Sequence, residues 1–158
     1  MSEFGKVVKE SIARFPGRQE VRIHQKFSAS PNAVFEQVTS PALMSAWAGI
    51  KLAPVAPGKD AAEPFGEGCV RKVTIGPSSF EETVLSFDRP ASYTYTISKG
   101  SPLKNYLGRV DVFPVDGGCE VWWTISFDAK LPVLAPIIAI LVYVGFSSGL
   151  SRLAKRLA

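Results

Sequence analysis

Arg71 and Glu82 are the two charged side chains whose placement calls for chemistry. In "CVRKVTI", alternation puts Arg71 on one face with Cys69, Val73 and Ile75; in "FEETVLSF", Glu82 shares a face with Phe80 and Val84. A strand sends successive side chains to opposite sides. If these are the inward faces, both charges enter an apolar interior. A buried charge is costly unless paired, and on adjacent strands the two groups can hold each other. Such a pair can orient a ligand's carbonyl or hydroxyl, or shift a proton during a cyclisation. It can equally be a rim ion pair that no ligand meets.

Aromatic residues follow in the next strands. Trp123 shares a strand face with Val121, Ile125 and Phe127, which points it inward, while Trp122 faces out with Glu120 and Thr124. Tyr93, Tyr95 and Tyr106 offer ring surface with a polar tip, suited to lining a pocket or to packing a core. Buried hydroxyls need partners, which favours the pocket.

Other chemistries lack their residues. The single histidine, His24, lies between Arg22 and Lys26 on the outward face of its strand. No Gly-x-Ser-x-Gly is present for a serine triad, and "FGEGCVRK" lacks the Gly-Lys-Ser/Thr ending of a phosphate loop. Cys69 and Cys119 are two well-separated thiols, read as small apolar fillers in a reducing, cytoplasmic setting. Neither a metal site nor a cofactor is expected.

The net charge of +4 is uneven: the first 28 residues and the last seven are basic, and the middle is acidic. A nucleic-acid binder carries its basic stripe on the folded body, so no nucleic-acid partner is expected. Basic ends suit an anionic membrane surface, which leaves peripheral membrane contact open.

The elements that must position Arg71 and Glu82 read in order. Residues 2–15 form a short amphipathic helix with Phe4, Val7, Val8, Ile12 and Phe15 at helical spacing, ended by "FPGR". "VRIHQKF" alternates as a half-buried strand. Two short helices follow, each opened by Ser-Pro, at Ser30-Pro31 and Ser40-Pro41. "KLAPVAPGKDAAEPFGEG" reads as a long loop, and five further strands joined by short turns make an antiparallel meander, with Asp116-Gly117 at one turn.

Residues 131–151 carry no charge, which passes the length test for a membrane span of about 20 residues. Pro132 and Pro136 shorten it, however. From Pro136 to Ser151 a helix rises only roughly 24 Å, against a hydrocarbon core of about 30 Å. Leu150, Leu153, Ala154 and Leu157 then continue an apolar stripe past the charges, as a packed helix does. The layout is α+β: a curved antiparallel sheet around a long C-terminal helix.

That order and several strings resemble the START and pollen-allergen-like (SRPBCC) helix-grip superfamily, especially its polyketide cyclase/dehydrase-like branch. "FSASPNAVFEQVTSPALMSAWAG" is similar to its first strand, paired helices and tryptophan, here Trp47. "GEGCVRKVTI" resembles its Gly-x-Gly-x-x-Arg strand, with Gly66, Gly68 and Arg71. "EETVLSFDRPASYTYTIS" carries Glu82, Asp88 and Tyr95 in the usual places; "GGCEVWWTISFDA" and "GLSRLAKRLA" resemble the last strand and the end of the grip helix. The resemblance implies one domain over residues 20–158, with 1–19 as an N-terminal extension. It also implies an apolar cavity between sheet and C-terminal helix for a lipid, isoprenoid or polyketide-like aromatic. Arg71, Glu82, Tyr93, Tyr95, Tyr106, Trp123 and Ile125 would line it from the sheet, and Ile137, Ile140, Leu141 and Val144 from the helix. The alternatives are a cyclase/aromatase- or dehydratase-type enzyme using Arg71 and Glu82, and a membrane-associated protein using the apolar C-terminal segment. Oligomerisation through the C-terminal helix is a further expectation.

Overall fold

Two Ser-Pro devices shape the first third of the chain. The Ser30 hydroxyl accepts from the Ala33 amide at 3.3 Å and Pro31 occupies the first turn, which starts α2 (Pro31–Thr39). Pro41 starts α3 (Pro41–Trp47) immediately after it. The Trp47 indole N–H donates to the Gln37 carbonyl at 2.9 Å, tying the two helices together. They follow β1 (Gln19–Phe27) and an N-terminal helix α1 (Glu3–Ala13).

The remaining strands are β2 (Lys51–Ala56), β3 (Val70–Ile75), β4 (Ser78–Asp88), β5 (Ser92–Lys99), β6 (Leu103–Val115) and β7 (Gly118–Ala129). A 3-10 turn at Pro132–Leu134 leads into α4 (Ala135–Arg156). This computed structural model describes residues 1–158. The seven strands form one antiparallel sheet ordered β1-β7-β6-β5-β4-β3-β2. Gly117, at φ +79°, takes the left-handed turn position between β6 and β7 that a side chain resists.

One expectation fails here. The stretch read as a long loop opens with a strand: β2 pairs with β3 from Lys51↔Thr74 to Ala56↔Val70. Its prolines hid it, but Pro54 lies on an edge strand, where a missing N–H costs no ladder bond. The Leu52 amide donates to the Ser45 hydroxyl at 2.9 Å, which fastens β2 to α3.

The concave side of the sheet holds the core. Val121, Trp123, Ile125 and Phe127 alternate inward along β7 at 0% exposure, while Trp122 faces out and stacks on His24. α4 covers this side, resting mainly on β1. Its inner stripe is Ala135, Ala139, Gly149, Leu150 and Leu153, all buried. α1 packs against α4 but buries only Ser11; Phe4, Ile12 and Phe15 on its apolar stripe remain about half exposed or more.

Candidate ligand site

Register brings the two singled-out charges face to face. β3 and β4 pair Arg71 directly with Glu82, and the Arg71 Nε donates to Glu82 Oε2 at 2.9 Å. Both side chains are buried, at 2% and 9% exposure. α3 lies over them, with Met44 Sδ 3.8 Å from an Arg71 guanidinium nitrogen. The guanidinium carbon also sits 5.7 and 5.1 Å from the ring centres of Tyr93 and Tyr95, a cation–π arrangement that compensates a desolvated charge.

From there a run of rings crosses the sheet. Tyr93 and Tyr95 stack at 5.6 Å, Tyr95 meets Tyr106 at 5.9 Å, and Tyr106 stacks on Phe127 at 6.4 Å. Two of the hydroxyls are engaged: Tyr93 donates to the Val38 carbonyl at 2.6 Å, and Tyr95 accepts from the Trp123 indole at 2.9 Å. Tyr95 lies flat on Gly108, its cross-strand partner, where any Cβ would overlap the ring. Sequence reading missed Gly108; a lone glycine inside a strand was the available signal of close approach.

Burial sets the protonation of this interior. It pushes the Glu82 carboxyl up, against the opposing pull of Arg71. Burial opposes the Arg71 charge, yet Glu82 first and then Tyr93 and Tyr95 raise its pKa above the ordinary arginine value. Tyr93 is pushed up to about 12 by burial, and burial likewise raises Tyr95 and Tyr106. The site therefore offers a paired guanidinium and carboxyl beside protonated phenols, able to orient a carbonyl or hydroxyl by hydrogen bonds.

The sheet residues expected in the lining, Arg71, Glu82, Tyr93, Tyr95, Tyr106, Trp123 and Ile125, all lie on the concave side, with Tyr106 only partly buried. The helix residues do not. Ile137, Leu141 and Val144 are 53%, 65% and 42% exposed, and Ile140 is half-buried. In a helix apolar all round, composition does not say which face turns inward. The side chain that meets Trp123 from α4 is Phe146, at 4.8 Å between rings, with Trp47 at 6.1 Å. Phe146 lies one turn before the buried Leu150, so extending the Leu150/Leu153 stripe backwards would have found it. Two clefts open elsewhere. One, of about 800 Å³, lies between α1, β1 and Tyr143; the other lies between α3 and the end of α4.

The same fold occurs in solved structures of low sequence identity. TTHA0849 from Thermus thermophilus superposes with a TM-score of 0.71 at 17% identity, over 88% of this chain and 97% of its own. Ara h 8.0201 does so at 0.66 and 19%, over 89% and 99%. A Thermobifida fusca protein solved by NMR does so at 0.62 and 23%, over 87% and 94%. A comparison with curated protein sequences finds no match. The polyketide cyclase/dehydrase and lipid transport family matches residues 18–158. Its span covers the whole sheet, the Arg71–Glu82 pair and α4, and by that match the chain belongs to this family.

Proposed function

We propose that the chain binds a hydrophobic small molecule carrying a polar group, such as a lipid, isoprenoid or polyketide-like aromatic, between the sheet and α4. The observation that carries this reading is the buried Arg71–Glu82 pair, framed by Tyr93 and Tyr95 on an otherwise apolar concave face. An ion pair in such a place is no source of stability in itself, since an apolar pair of equal volume serves a core as well. Family membership, which implies a site for a hydrophobic ligand, supports the same reading. Residues 20–158 would form the binding domain in the cytoplasm, with 1–19 an extension.

Rings fill the interior, so a ligand enters by displacing side chains. The first half of α4 is the part built for that. Its fully buried residues are only Ala135 and Ala139, with Ile138, Val142 and Tyr143 partly buried beside them, so lifting it exposes less apolar surface than lifting the second half would. A ligand's hydroxyl or carbonyl would then accept from Arg71, while Phe146 and Trp123 contact its apolar body.

Titration with a fatty acid, a polyprenol and a fused-ring aromatic, read by tryptophan fluorescence, tests the reading. Saturable quenching by one class is expected, with affinity weakened about tenfold or more in Arg71→Met. Absence of saturation with all three would sink it. A cyclase or dehydratase is the second reading, favoured by the burial-raised Glu82 beside a cation. Under it, Glu82→Gln abolishes turnover; under binding alone it changes affinity only.

A further inference from the structure

The outward face of α4 has a composition that neither the core nor the ligand site uses. Opposite the buried stripe, Leu134, Ile137, Leu141 and Val144 project into solvent at 42–65% exposure. The spacing of three and four residues keeps them on one face. Continued by the same spacing, that face reaches Ser148, Arg152 and Lys155, all exposed. It is therefore apolar in its first half and basic in its second. Only 22% of the most apolar stretch of this helix is buried, far below what an internal core helix shows.

Two further features say what covers it. No Asp or Glu follows Asp128, so Lys130, Arg152, Lys155 and Arg156 make the last thirty residues purely basic. Neither Arg152 nor Lys155 is paired with a carboxylate in the fold. α1, packed against α4, leaves Phe4 and Ile12 exposed and carries the exposed cations Lys6 and Lys9. A second copy apposed through α4 would set the basic half against a helix with no acid of its own, and neighbouring α1 adds Glu3 and Glu10 only alongside Lys6 and Lys9. An anionic bilayer offers both an apolar layer and fixed negative charge at one surface.

We propose that α4 docks the protein in the plane of an anionic membrane, with Ile137 and Leu141 inserted among the acyl chains and Arg152 and Lys155 at the headgroups. The helix stays on the sheet while it does so, since its inner stripe is held by the core. Docking stands independently of whether the interior holds a ligand.

Co-sedimentation of the full chain with phosphatidylcholine vesicles, with and without about one-third phosphatidylglycerol, is the test. Binding to the anionic vesicles is expected to be at least about tenfold tighter than to the neutral ones and to fall in about 0.5 M salt. Leu141→Glu should weaken it about tenfold or more, and so should Arg152→Glu with Lys155→Glu. Thermal melts of both variants should match the original chain, because all three positions are exposed; the charge-reversal variant stands if Leu141→Glu misfolds. No vesicle binding, or equal binding to both vesicle types unaffected by the substitutions, overturns the proposal. So does a dimer in sedimentation velocity that Leu141→Glu dissolves without any vesicle binding.

Discussion

The two halves of α4 differ in composition and in what they touch: residues 135–145 carry no charge, whereas residues 146–156 hold three serines and three basic residues. Its distal half is clamped: Leu150 and Leu153 are fully buried, and Gly149 lies against Trp47, where a Cβ would come within 3.2 Å of the indole. Its proximal half fully buries only Ala135 and Ala139, leans Ile138, Val142 and Tyr143 partly buried against the core, and turns Ile137 and Leu141 outward. By hydropathy alone the whole segment is a membrane-length helix. The difference comes from what lies opposite: α3, through Trp47, supplies a wall for the distal half, whereas the Ile137, Leu141 and Val144 side of the proximal half meets solvent. On the proposed function, a ligand would enter beneath the less deeply buried near end while the clamped far end keeps the fold.

Substitutions placed on the two halves would break or sharpen that contrast. The largest effect is expected from Leu150→Ala, a loss of about 3 kcal/mol in urea unfolding, since a fully buried leucine leaves a cavity. Leu141→Ala should stay within about 0.5 kcal/mol. A comparable loss at both positions would mean that the halves are equally packed.

Alkali probes the interior beneath the helix. Tyr93 keeps its proton to about pH 12 in the fold, against 10 in the unfolded chain. The folded state therefore binds more protons in that window, and stability falls as pH rises from 10 through 12. Tyr95 and Tyr106, raised by the same burial, act in the same direction. Urea midpoints at about pH 9 and about pH 11 should show the drop, reduced in Tyr93→Phe.

The glycines give a finer comparison. Gly149→Leu should cost about 2 kcal/mol by forcing Trp47 aside. Gly145, where an added Cβ would meet nothing, should accept leucine at no cost or with a small gain from helix propensity. Paired thermal melts of the two variants measure the contrast.

Much of this was legible in the residues. Alternation alone placed Trp123 inward and Trp122 outward and grouped Arg71 and Glu82 with apolar neighbours on their strands, because period two leaves a strand residue only two choices; that the two charges pair directly is set by the register of β3 and β4. β2 was illegible because Pro54 and Pro57 read as breakers, and only the edge position makes the first of them harmless. The outward turn of Ile137, Leu141 and Val144 was illegible for a different reason: an all-apolar helix has no periodic contrast, so its orientation is decided by partners far away in sequence. Gly108 beneath Tyr95 required knowing which residues pair across strands.

The proposed function places a hydrophobic ligand at the Arg71–Glu82 pair. Native mass spectrometry of the protein purified from cells without detergent tests it most directly. A second, heavier species is expected, differing by the mass of one lipid- or polyketide-sized molecule and absent from Arg71→Met. A single species at the mass of the bare chain, unchanged after incubation with a fatty acid, a polyprenol or a fused-ring aromatic, would contradict it.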